Sequence, residues 1–171
     1  MAVFVVTAKT LLIGSAWTGT APGDPGTQTV AGTVTSAVDL SAFLSSGLDV
    51  NYTVDQIDFT NMASGGFKAF LPGLSEAGEL SIPLHADMTA STGLHAKIVA
   101  ATGNSLGVTR PGDTPIYVDV KATAAARGTS NPSFVMACNV SSYTPLMGGV
   151  GEKAVGQISI RPTGAFAILT A

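Results

Sequence analysis

One cysteine, one tryptophan and two histidines in 171 residues leave this chain little with which to do chemistry. Cys138 has no second cysteine to pair with, which excludes an intrachain disulfide and any site built from several thiolates. His85 and Asp87 share the parity of one strand, but no third ligand follows at a spacing that would close a metal site, and His95 falls on a different element. The run Gly73-Leu74-Ser75-Glu76-Ala77-Gly78 has its second glycine one place too late for a nucleophile elbow. Neither a phosphate-binding P-loop nor a dinucleotide-binding glycine fingerprint occurs. Glu76 and Glu79, close to a turn, read as solvated carboxylates rather than an acid–base pair. These absences argue against an enzyme, a resident metal and a cofactor.

Charge is scarce as well. Charged residues make up 11% of the chain, against roughly 25% in an average soluble domain. Mean hydropathy is +0.40, yet no run approaches the ~20 apolar residues of a membrane helix. A chain of this kind is expected to cover much of its surface with other subunits. The net charge of −3 is spread without a basic cluster: Lys9, Lys68, Lys97, Arg110, Lys121, Arg127, Lys153 and Arg161 are scattered. Tight nucleic-acid binding, which needs grouped cations to displace phosphate counterions, is not expected. The amino-terminal stretch is apolar, but no basic residue precedes it and Lys9 interrupts it, so residues 4–13 read as a first strand and not an export signal. A reducing compartment is expected.

What is present is alternation. Leu48, Val50, Tyr52 and Val54 alternate with Asp49, Asn51, Thr53 and Asp55; Leu80, Ile82, Leu84 and Ala86 alternate with Glu79, Ser81, Pro83, His85 and Asp87. Period-2 patterning puts one face of each strand on a core and the other on water or a partner. Ile116, Val118 and Val120 repeat the pattern, and Phe134, Met136, Cys138 and Val140 share one parity, which makes Cys138 a buried small hydrophobe. Gly65-Gly66 and Pro72-Gly73 read as turns. Residues 18–32 read as a loop, and residues 33–43 as extended with room for one helical turn. One helix is expected over residues 91–102, from Leu94, Ile98 and Ala101 at helical spacing, with Ser91 or Thr92 as its cap and Gly103-Asn104 as its stop. The fold class that follows is mainly β: an antiparallel β sandwich or half-barrel with one flanking α-helix. One domain over residues 1–171, long enough to bury a real core and with no appended immunoglobulin-like module, is expected.

The order of these elements resembles the major tail tube proteins of long-tailed, non-contractile bacteriophages. The matching features are Asp39-Leu40-Ser41, the Asp58-Phe59-Thr60 corner, the glycines after it and Pro72-Gly73-Leu74 before the second alternating strand. In the last third they are the Val140-Ser141-Ser142 step, a Gly-rich excursion, the Ile158-Ser159-Ile160 strand and the closing Thr163-Gly164. The resemblance implies self-assembly into six-subunit rings that stack into a hollow tube in a virion tail, assembled in the host cytoplasm. It implies as partners a tail terminator, a tape measure and distal tail proteins, with DNA passing through unbound and no membrane. The secreted tube proteins of contractile injection systems share that fold.

On this reading the polar faces of the two alternating strands are expected to line the lumen: Asp49, Asn51, Thr53 and Asp55 on one, Glu79, Ser81, His85 and Asp87 on the other. An acidic or neutral lining repels DNA and spares it the friction of phosphate contacts. The same faces meeting bulk water on the outside is the alternative. Three Gly-rich segments are expected to touch neighbouring subunits or rings: residues 18–32, with Gly23, Asp24, Pro25 and Gly26; residues 61–66, with Gly65 and Gly66; and residues 146–151, with Gly148 and Gly149. The competing function class is a carbohydrate- or receptor-binding β-sandwich module, or a capsid decoration protein. That class calls for aromatics clustered on exposed loops, and aromatics are only 6% of this chain.

Overall fold

The apolar parity of the runs around Ile82, Val118, Met136 and Ile158 assembles most of the main sheet. The computed structural model describes residues 10–19, 32–45, 52–58, 68, 70–164 and 167–170. In chain order the elements are β1 (Thr10–Gly14), β2 (Ala16–Thr18), β3 (Thr33–Thr35), β4 (Val38–Asp39) and a 3-10 turn at Ser41–Phe43. There follow β5 (Tyr52–Asp58), β6 (Phe70–Ala77), β7 (Leu80–His85), α1 (Leu94–Thr102) and β8 (Ile116–Lys121). The chain closes with β9 (Ser133–Met147), β10 (Val155–Pro162) and β11 (Ala167–Leu169). Seven of these strands form one antiparallel sheet in the order β4-β1-β8-β9-β10-β7, with β11 beside the opening residues of β9. Two further sheets have two strands each, β2 with β3 and β5 with β6. The fold is thus mainly β, an antiparallel half-barrel with one flanking helix, as the alternation predicts.

One face of the seven-stranded sheet carries the core. Ile116, Val118 and Val120 of β8 register against Cys138, Met136 and Phe134 of β9, and Ile158 and Ile160 of β10 continue the layer to Ile82 and Leu80 of β7. Leu94, Ile98 and Ala101 of α1, all buried, close over this face. Full burial of each such Leu or Ile is worth roughly 1.5–3 kcal/mol, which is why the parity dictates the register. Cys138 is fully buried in that layer with Met136 and Val140, and Phe134 packs at its margin.

The helix begins later than its sequence suggests, and neither Ser91 nor Thr92 caps it. Gly93 is the N-cap and no side chain bonds there; Leu94 N donates to Asp87 O at 2.8 Å and Gly93 N to Thr89 O at 2.9 Å. The backbone of the preceding turn satisfies donors that a Ser or Thr hydroxyl would otherwise take. At the other end Gly103 adopts φ 70°, the left-handed stop expected of glycine.

Two strand expectations are corrected. Pro72-Gly73 is not a turn: both residues lie inside β6, where the register passes from Val54↔Ser75 to Gln56↔Pro72. β6 spends two residues, Gly73 and Leu74, where β5 spends one, and a bulge is where a strand admits Pro and Gly. The run from Leu48 is described only from Tyr52, and there residues 53–58 of β5 are all exposed. Neither face of residues 53–58 lies on the core, and among the described residues β5 pairs only with β6. Of the first expected strand, residues 10–13 are described, and they belong to β1.

Candidate assembly surfaces

The face of the main sheet turned away from the core is small and polar where β7, β10 and β9 meet. Glu79 precedes β7 and Ser81 and His85 stand on it, Ser81 registering with Ser159 of β10 and His85 with Val155. The Ser141 hydroxyl lies 2.6 Å from Glu79 Oε1 and 3.1 Å from the Ser159 carbonyl, and Gln157 Nε2 donates to Ser81 Oγ. His85 Nδ1 is buried with no hydrogen-bond partner among the described residues. Asp87 lies beyond the end of β7, and its carboxylate accepts from Thr89 N at 2.9 Å and Thr89 Oγ1 at 2.7 Å, bonds that hold its carboxyl below the usual range. The turn that Asp87 shapes therefore serves the helix start, and among the described residues no group of three His, Cys, Asp or Glu could hold a metal ion.

Of the expected lining residues, the structure brings Glu79, Ser81 and His85 together on one sheet face. Thr53 and Asp55, both exposed, stand on β5 in a separate sheet. Asp49 and Asn51 lie outside the described residues, as do Gly23, Asp24, Pro25, Gly26, Gly65 and Gly66.

Gly148 and Gly149 are described, at the tip of the β9–β10 hairpin. Gly149 N donates to Glu152 Oε2 at 3.0 Å, and beside them a cleft of about 330 Å³ is lined by Leu146, Met147, Glu152 and Ala154. Val150 is fully exposed at the tip and Leu146 is 55% exposed. The hairpin β5–β6 shows more apolar surface still. Ile57 and Leu71 face each other across the pair, and Phe70 opposes Asp58 on the reverse side. All three apolar side chains are about half exposed. An apolar group on each side of a two-stranded ribbon is a surface waiting for contact, since isolated hairpins are marginal in water.

A last polar cluster sits on the outer face over β8. Arg127 meets Asp119 at 3.0 Å, with side-chain exposures of 14% and 5%, and no feature of the sequence singles this pair out. Burial pushes the Cys138 thiol up to about 12 and raises the Tyr143 phenol. A thiol held so firmly protonated is no nucleophile.

No family model matches the chain, and no curated protein matches it. Solved structures do share its fold. A chain of the six-fold symmetrised anti-feeding prophage baseplate superposes with a TM-score of 0.52 at 9% identity, over 99% of this chain and 98% of that one. A chain of an extracellular contractile injection system, from a structure of its sheath/tube terminator in the extended state, gives 0.51 at 16% identity, over 98% and 97%. A chain from the virion of a native gene transfer agent particle gives 0.51 at 14% identity, over 79% of this chain and 89% of that one. At such identities the likeness is one of fold.

Proposed function

We propose that this chain is a structural subunit of a tail tube, joining copies of itself into six-membered rings that stack into a hollow conduit within a virion tail. The β5–β6 hairpin carries the reading: it holds Ile57 and Leu71 out to solvent on one side and Phe70 on the other, on the same fold that chains of tail and injection particles adopt. Low charge and a polar sheet face at Glu79, Ser81 and His85 agree with a subunit that covers most of its surface and lines a channel. In this reading Thr53, Asp55, Asp49 and Asn51 join that lining, and the tip at Gly148 and Gly149 meets the next ring. The chain does no chemistry. DNA passes it unbound, and its other partners are the terminator, tape measure and distal proteins of a non-contractile phage tail.

A second reading, the tube of a contractile injection system, draws on the near-complete overlap, 98% of this chain, with the contractile injection system chain, against 79% for the gene transfer agent chain. The two readings share the assembly and differ in cargo, and the neighbouring genes separate them. Both are tested by sedimentation of the purified protein over a range of concentrations. Growth into large, pelleting polymers is the expected outcome, and a species that stays monomeric at high concentration contradicts both.

A further inference from the structure

Alternation along β8 puts Asp119 on the outer face of the sheet, opposite in parity to the buried Val118 and Val120. A carboxylate there ordinarily meets water, yet its side chain is 5% exposed. Two pieces of chain enclose it: the β2–β3 arm and the loop between β8 and β9 that carries Arg127. Arg127 ties three separate segments together. Its Nη2 donates to Asp119 Oδ2 at 3.0 Å, its Nε to Ser133 Oγ at 3.0 Å at the start of β9, and its Nη1 to the Gly32 carbonyl at 2.7 Å beside the returning strand of the arm. Gly32 has no space for a side chain, since a Cβ would fall 2.4 Å from the Thr18 carbonyl and 2.5 Å from the Trp17 ring. Trp17 in turn lies on Val135, Ala167 and Leu169 and sits 6.0 Å from the Tyr117 ring. One apolar plate and one guanidinium therefore dock the arm.

The two do different work. Apolar contact is non-directional and tolerates sliding or rocking, whereas a guanidinium with three bonds to three elements fixes an angle. Stability alone does not account for the pair, because a buried ion pair is often no better than apolar side chains of similar volume. Asp119 Oδ1 is also buried with no hydrogen-bond partner among the described residues, beside a cavity of about 510 Å³ that Gly32, Thr33 and Val34 help to line. We propose that Arg127 is a positioning residue for assembly, setting the direction in which the β2–β3 arm leaves the sheet and so the geometry with which the arm meets a neighbouring copy. The second half of that statement rests on the tube reading; the first half does not.

Trp17 is the sole tryptophan, so its emission reports the docking of the arm directly. The decisive variant is the double substitution Asp119→Leu/Arg127→Met, which removes both charges and leaves none buried alone. It is expected to keep the circular dichroism of the wild type, to shift Trp17 emission to the red, to raise acrylamide quenching about two-fold as the arm opens locally, and to give irregular or no polymer. Arg127→Lys keeps the charge and loses the fork, and is expected to show the same Trp17 change; it carries the test if the double variant does not fold. Unchanged Trp17 emission and quenching in a folded variant overturns the inference, because packing alone would then hold the arm. Wild-type protein that never polymerises removes the tube reading and leaves the Trp17 result standing.

Discussion

Ile57 of β5 stands directly opposite Leu71 of β6, and their side chains are 56% and 49% exposed. On the reverse side Phe70 opposes Asp58 and is 52% exposed. A ribbon that is apolar on both sides is not satisfied by lying on its own sheet, since one side would still face water. In the proposed tube, contact with other copies covers Ile57, Leu71 and Phe70.

Ile57→Asp/Leu71→Asp is expected to leave the melting temperature of the subunit nearly unchanged, as exposed substitutions usually stay within ~0.5 kcal/mol. Polymer should be lost, as read by sedimentation at matched concentration. Normal polymer from this variant would remove the hairpin from the interface.

Cys138→Ser places a hydroxyl in the buried apolar layer of Met136 and Val140, and is expected to cost about 1–3 kcal/mol. Native protein should resist bulky thiol reagents and react only on unfolding. The acidity has a sign that can be checked. The thiol ordinarily ionises near 9.0 and burial pushes it up to about 12, so the folded state holds a proton that the unfolded state releases. Its contribution is whole below pH 9.0 and is lost as pH rises toward 12. Urea melts of wild type and Cys138→Ala at pH 7, 9 and 11 should show a steeper alkaline loss in the wild type. Parallel curves would contradict this.

Gly103→Ala tests the end of α1. A Cβ there meets nothing within 4 Å, so only the φ of 70° opposes it. The expected cost is about 1 kcal/mol, and Gly103→Asn should cost less, because Asn tolerates the left-handed region. Equal melting of all three proteins would mean that the helix end relaxes freely.

The sequence made the main sheet legible wherever alternation was strict and local: β7, β8, β9 and β10 lie where Ile82, Val118, Met136 and Ile158 place them. The helix was legible from Leu94, Ile98 and Ala101, but its cap was not, since Asp87 closes it through backbone bonds that no side-chain pattern encodes. Pro72-Gly73 was misread because a bulge and a turn use the same residues. The Arg127–Asp119 pair had no signal at all. Asp119 has the parity of a solvent-facing residue, and its burial comes from chain that returns from more than 80 positions earlier, at Gly32. Parity also says nothing of what a polar face meets, which is why Ser81 reads the same on a lumen or an outer wall.

The two expected lining faces can each be assigned by charge. Asp49→Lys/Asp55→Lys in assembled particles is expected to leave subunits folded and to slow DNA ejection at low salt. The defect should ease as salt shortens the Debye length from ~30 Å at 0.01 M to ~8 Å at 0.15 M. Ejection at the normal rate in low salt would take β5 off the lining, and Ser81→Lys then asks the same of β7.

The central claim is that the chain polymerises into a hollow tube, and electron microscopy of the purified, concentrated protein tests it most directly. Stacked rings with six-fold symmetry around an open channel are expected in end-on and side views. Discrete monomers, or closed rings that never stack at any concentration, would contradict it.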